Sequence, residues 1–167
     1  MKESKGIFKA IDLARYLNYL HNDKFSRDIS PLKLQKVLFF LFGEWGAFIQ
    51  KSSVNKSGDW ERLQNYSKYL FGEDIEAWLY GPVVKVVYDE FNNEKISEKD
   101  IFDTESRLYV GEFIKDLALE LFELSDFRLV ELSHQMNCWK KNFVDNAERH
   151  NKVIDKEEII EEFLFQP

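Results

Sequence analysis

Apolar residues recur three or four positions apart at Ile7, Ala10, Ile11, Ala14, Leu17 and Leu20. This spacing predicts a helix over residues 7–21 with one apolar face. The polar run 21–28 predicts a loop. Ser30 then offers an N-cap oxygen, and Pro31 suits the first helical position, where its missing N–H costs nothing. Leu34, Val37, Leu38, Leu41, Phe42, Trp45, Phe48 and Ile49 continue the helical spacing, and Phe39 and Phe40 fill the remaining faces. A helix that is apolar nearly all round is a buried one, so this segment is the expected centre of the core.

Residues 51–58 read as a polar loop. Trp60, Leu63, Tyr66, Tyr69 and Leu70 mark a short amphipathic turn or helix. Residues 75–79 alternate and predict a strand, broken by Tyr80-Gly81-Pro82. Residues 83–88 pull two ways. Their β-branched side chains favour a strand. Pro82, followed by Val83, Val84, Val87, Tyr88 and Phe91 on one face, favours a helix, which is the preferred reading. Residues 92–95 form a turn, and a second strand is expected near 108–110. A long helix carries Phe113, Ile114, Leu117, Leu121 and Leu124. Ser125 and Asp126 cap the next helix, and a further one spans 134–143. The last begins at Asp155, with Glu158 as its capping-box partner and Ile154 stapled onto Ile159. The expected fold is mainly α with a small β-sheet (α+β), one compact domain over residues 1–167 around a central hydrophobic helix.

Composition narrows the function. The 167 residues are 44% hydrophobic and 16% aromatic, which excludes disorder. A single cysteine, Cys138, excludes an internal disulfide and a multi-cysteine zinc site, and 3 His leave metal chemistry thinly supplied. The net charge of −7 is uneven: residues 1–46 carry +3, 47–97 carry −2 and 98–167 carry −8. An acidic chain gains little from counterion release, so nucleic acid is not an expected partner. The longest apolar run, 37–42, is far below the roughly 20 residues of a membrane span. A polar start without a cleavable apolar stretch, together with a free thiol, predicts the cytoplasm.

Four groups of residues are candidates for chemistry or binding. Trp78-Leu79-Tyr80-Gly81-Pro82 reads as a strand turning sharply into a helix, whose first N–H groups suit an anion or a partner carboxylate; the alternative is a tight turn with Trp78 in the core. His134 and Cys138, four apart, would share a helix face. They read either as a thiol–imidazole pair for a small hydrolase or as a core histidine beside a buried thiol. Glu157, Glu158, Glu161 and Glu162 read as a solvated face rather than as catalytic carboxylates. Trp60, Tyr66 and Tyr69 are of the types that anchor protein interfaces; the other reading is a satellite cluster folding its loop back on the domain. No catalytic constellation, metal site or cofactor site emerges.

Three segments, in order, resemble the Panacea antitoxin domain family, which includes the SocA-like and GepA-like phage-associated proteins. They are ISPLKLQKVLFFLFGEWG (29–46), DIEAWLYGPVVKVVYDEF (74–91) and LSDFRLVELSHQMNCWKKNF (124–143). The second is the most specific, through Glu76-Ala77-Trp78 and Tyr80-Gly81-Pro82-Val83-Val84. In the third, Leu132, Ser133, His134 and Trp139 match the family's Leu-Ser/Thr-His element and its Trp. The resemblance spans about residues 7–165. Against it, 51–69 reads as an insertion, and Cys138 stands where the family often has Pro. The resemblance implies a non-enzymatic antitoxin of a toxin–antitoxin system that binds and neutralises a toxin encoded by an adjacent gene. It implies as an alternative an adaptor delivering the toxin to a protease, with a protease or chaperone as further partner; a homodimer is compatible with it. Trp78, Gly81, Pro82, His134 and Trp139 are then structural motif residues. Trp60, Tyr66 and Tyr69, on the variable insertion, are the expected toxin contacts.

Overall fold

A computed structural model describes residues 6–55, 60–144 and 151–165. In chain order it contains α1 (Ala10–Phe25), α2 (Pro31–Asn55), α3 (Trp60–Leu63), β1 (Ile75–Trp78), β2 (Gly81–Val84), α4 (Lys85–Glu90) and α5 (Glu98–Ile101). Then follow α6 (Glu105–Phe122), α7 (Asp126–His134), α8 (Asn137–Asn142), β3 (Val153–Ile154) and α9 (Lys156–Leu164). The three strands form one antiparallel sheet in the order β2-β1-β3. The fold is mainly α with a small β-sheet.

The centre is α2. Val37, Leu38, Phe39, Leu41, Phe42 and Trp45 are all inaccessible to solvent, and the helix packs on α9, β2, α6, α7 and α1. Its start follows the sequence: Ser30 Oγ accepts from Lys33 N at 3.1 Å. The same hydroxyl donates to Asp126 Oδ2 at 2.5 Å, tying the start of α2 to the start of α7. Lys33 lies along the surface of α6 and donates from Nζ to Phe122 O at 2.8 Å, placing a cation on that helix's last carbonyls. Ser125 and Thr104 cap α7 and α6 through Arg128 N and Arg107 N.

Several elements differ from the sequence pattern, each for a physical reason. The expected loop 21–28 is helical to Phe25, because His21 is buried against Phe25 and Phe122, with Nδ1 on Arg27 O at 3.0 Å. Ser26, at φ 57°, ends the helix in the left-handed region. Residues 51–55 extend α2 instead of forming a loop, with Ser52 Oγ donating back to Phe48 O at 2.9 Å; 56–58 lie outside the described residues. The strand expected at 108–110 is the second turn of α6, where the Thr104 cap outweighs the β propensity of Leu-Tyr-Val. Residues 83–88 divide: Val83 and Val84 belong to β2, and the helix starts at Lys85. The helix expected over 134–143 is shorter: His134 ends α7, Gln135 and Met136 part the two helices, and α8 spans Asn137–Asn142. Asp155 does cap α9, its carboxylate accepting from Glu157 N at 2.8 Å, while Glu158 pairs with Lys141.

The α2–α9 contact depends on glycine. A Cβ on Gly43 would lie 2.2 Å from the Phe163 ring, and that ring also meets Phe39 and Phe40 edge-on at 5.6 and 5.9 Å. Gly43→Ala gains up to about 1 kcal/mol of helix propensity but overpacks a buried ring, at a cost of about 1–3 kcal/mol. The expected net result is a loss of stability in denaturant titration. Adding Phe163→Leu makes room and recovers part of it. Additive losses in the double variant would show that the two residues do not compete for the same space.

Candidate functional site

One of the sheet's two edges, that of β2, lies against α2. Ala77 N donates to Lys152 O at 2.9 Å, so the backbone groups of Ile75 and Ala77 face β3. Those of Glu76 and Trp78 therefore face Val83 and Gly81 of β2, and Pro82 and Val84 turn their polar groups outward, toward α2. Two successive polar residues of that apolar helix receive them. Gln35 Oε1 accepts from Val84 N at 2.8 Å and Gln35 Nε2 donates to Val84 O at 3.2 Å. Lys36 Nζ donates to Pro82 O at 2.9 Å. Proline has no N–H to place, which is why it is tolerated in this edge strand. An unpaired buried backbone group costs about 1–3 kcal/mol; here α2 supplies with side chains what a fourth strand would supply with its backbone.

The turn between β1 and β2 is held from the other side. Gly81 sits at φ 110°, and a Cβ there would lie 2.4 Å from Ser133 Oγ and 3.0 Å from Lys36 Cε. Ser133 itself donates to Val130 O at 2.8 Å. Leu79 O and His134 Nε2 are 3.0 Å apart, so the proton sits on Nε2. Trp139 Nε1 donates to Trp78 O at 2.8 Å, and the His134 and Trp139 rings stack with centroids 4.2 Å apart. Trp78 is half-buried, donates to Glu76 Oε1 at 3.1 Å and meets Tyr88 edge-on. The five motif residues thus converge on one hairpin tip. The helix entry expected at Pro82 is not there: α4 begins three residues later, so the anion-binding helix start read from the sequence is absent from this turn.

Under the hairpin lies a cavity of about 490 Å³, lined by Leu32, Gln35, Lys36, Trp78, Tyr80 and Tyr88 among others. Lys36 is fully buried. Burial pulls its pKa down from 10.5 to about 7. The sequence marks Trp78 and Tyr80 as part of the turn motif, but neither Lys36 nor Tyr88 as part of a site. The available signal was the Gln35-Lys36 pair itself, two adjacent polar residues directly before the apolar run 37–42 of the core helix.

The remaining candidates are placed as follows. His134 ends α7 and Cys138 lies in α8, so they do not share a helix face, contrary to the spacing argument. Cys138 is buried, and its thiol is pushed well above the usual range by burial, then by the Glu162 carboxylate. That raises the cost of forming a thiolate. Glu162 caps α8, accepting from Asn137 N and Cys138 N at 2.7 Å each. Glu157 pairs with Lys68 and accepts from the Tyr69 hydroxyl, which burial and that carboxylate push up to about 12. These glutamates tie elements together rather than forming only a solvated face. Trp60, Tyr66 and Tyr69 are half-buried and packed on the core. Tyr66 meets Tyr109 edge-on, and Tyr69 stacks on Phe42. The segment that carries them is pinned through Trp45 Nε1 to Ser67 O at 3.0 Å and by Phe8 pairing with Phe71. Among the described residues no cluster of acidic, histidine or cysteine side chains is arranged to hold a metal ion, and no helix is long and apolar enough to cross a membrane.

Comparison with known families gives one match. Residues 58–140 fit the model of the antitoxin SocA-like Panacea domain, which assigns that stretch to the family the sequence motifs resemble. The matched stretch holds the hairpin, Ser133, His134 and Trp139; it starts inside the 51–69 segment and leaves the Ser30-Pro31 helix outside. No curated protein and no solved structure matches the chain.

Two outcomes follow from this geometry. With a folded-state pKa near 7 against 10.5 unfolded, Lys36 releases a proton on folding between those values. The unfolded chain then binds more protons, so the Lys36 contribution favours folding increasingly as pH rises from about 7 toward 10.5. Below 7 the penalty of the buried charge is present in full. Relative to Lys36→Met, wild-type stability should therefore improve across that window in urea titrations; a difference independent of pH would show that the ammonium is not desolvated. Gly81→Val forces a branched side chain into a positive-φ position already crowded by Ser133, for a loss of about 1–3 kcal/mol. An unchanged melting temperature would contradict this.

Proposed function

We propose that this SocA-like Panacea chain is a non-catalytic antitoxin that acts in the cytoplasm by binding and neutralising a protein toxin encoded beside it. The observation that carries the reading is the family match over residues 58–140. A second observation agrees with it: the His134 ring spends Nε2 on Leu79 O and stacks on Trp139, and the Cys138 proton is held tightly by burial. The three aromatics Trp60, Tyr66 and Tyr69 serve in this reading to hold the 60–71 segment on the core, since Tyr66 and Tyr69 meet internal rings and Trp60 packs on the core. Direct contact with the toxin then falls to other residues.

Co-expression tests the reading. A gene adjacent to this one should arrest growth when expressed alone, and growth should return when this chain is supplied. Cys138→Ala should neutralise as well as wild type. If no neighbouring product is toxic and relieved by this chain, the antitoxin reading fails. If neutralisation persists with purified components and no protease, binding alone suffices; if it needs a protease, the chain is a delivery adaptor.

A further inference from the structure

Lys36 is an expensive way to satisfy one carbonyl. An ammonium carries three N–H donors, and among the described residues Nζ makes one hydrogen bond, to Pro82 O. A neutral amide would close that bond without a buried charge, as Gln35 does for Val84 one position away. Among the described residues, the cavity of about 490 Å³ that Lys36 lines has no other charged residue in its wall. Its rim is apolar and outward-facing: Leu79, Tyr80 and Tyr88 are 43%, 58% and 62% exposed, three of the eight large apolar side chains that stand exposed among the described residues. An apolar cleft of this size with one charged group selects by charge as well as by shape, and here the sign is positive in a chain whose net charge is −7. The larger cleft between α8 and α9 offers no such selection. It carries Lys140 and Lys141 against Glu158, Glu161 and Glu162, and Glu162 is already spent on the α8 amides.

We propose that this cavity is the toxin-docking site, taking an apolar segment of the toxin whose carboxylate, from a side chain or a chain terminus, reaches Lys36. The inference rests on the antitoxin reading. The apolar side chain lies against Trp78, Tyr80 and Tyr88; Lys36 is fully buried in the free chain, so docking displaces the side chains that cover it and brings the carboxylate to the donors that Pro82 O leaves. A carboxylate on the ammonium raises its affinity for a proton. Docking then takes up a proton above neutral pH, so affinity declines as pH rises beyond about 7.

The test uses the full chain and the neighbouring-gene product that co-expression identifies as the toxin. Tyr80→Ser with Tyr88→Ser should lower toxin affinity by about tenfold or more with a near-wild-type melting temperature, since both rings stand largely in solvent. Lys36→Met should weaken binding and remove its pH dependence. Wild-type affinity in the Tyr80/Tyr88 variant overturns the proposal while leaving the antitoxin reading standing. If the wild-type chain binds no neighbouring product, the antitoxin reading is what fails, and the site is decided by small probes. N-acetyl-leucine should shift the Trp78 indole and Gly81 amide NMR signals at lower concentration than N-acetyl-leucinamide, and Lys36→Met should abolish the difference. N-acetyl-aspartate N-methylamide separates a side-chain carboxylate from a terminal one. Equal response to acid and amide overturns the proposal.

Discussion

The edge of a three-stranded sheet cannot be buried against a helix unless its outward backbone groups find partners. In this protein those partners are Gln35 and Lys36. Three polar atoms on β2, Val84 N, Val84 O and Pro82 O, are all met by two side chains of α2. Because α2 is also the element on which α1, α6, α7 and α9 pack, the same helix organises the apolar core and closes the sheet. That double duty explains why the core helix keeps a glutamine and a lysine side by side, and buried, in its second turn. It also explains the order of the sheet. The short strand β3 takes the β1 edge facing away from α2, and β2, with a proline that needs no N–H partner, takes the edge facing it.

What was legible in the sequence was local. Ser30, Ser125 and Asp155 cap as their types and positions suggest, the apolar stripes of α1, α2 and α6 have helical period, and the sharp turn read at Tyr80-Gly81-Pro82 is there, with Gly81 at positive φ. What was not legible depended on distant partners. Val83 and Val84 are strand because Gln35, 49 positions from Val84, completes their edge; no window of neighbouring residues contains that information. Residues 108–110 are helix because Thr104 starts α6 and Val110 is buried, two facts that together outweigh a β-prone tripeptide. The His134–Cys138 spacing misled because the chain bends at Gln135 and Met136, where no glycine or proline marks the break. The candidate site shows the same division. Its motif residues were readable as a set, but the lysine beneath them was hidden inside a hydrophobic helix.

The hairpin tip is fixed from two directions. From below, Gln35 and Lys36 hold β2. From the side, His134 and Trp139 hold the carbonyls of Leu79 and Trp78, while Ser133 closes off the space beside Gly81. All of these contacts fall on backbone atoms of the hairpin or on the glycine's missing side chain. The side chains of Leu79, Tyr80 and Tyr88 are left out of the scaffold and point to solvent. A surface built this way can change its side chains without loosening the turn, because none of the fixing hydrogen bonds reads their identity.

That separation gives the docking proposal its physical logic. A partner that meets side chains on a fixed backbone pays little ordering entropy on this chain's side, so more of the contact energy appears as affinity. Two tyrosines lose few rotamers for the area they cover, and the buried ammonium supplies a polar requirement that an apolar segment lacking a carboxylate does not meet. Desolvating a charge costs several kcal/mol before any partner arrives. In the free chain that penalty is relieved in part by release of the proton, which is why the lysine can stay folded beneath the hairpin; in the complex it would be offset by the incoming carboxylate. The same residue that closes the sheet edge would then discriminate between partners, and Lys36 cannot be exchanged for a second glutamine without losing that choice.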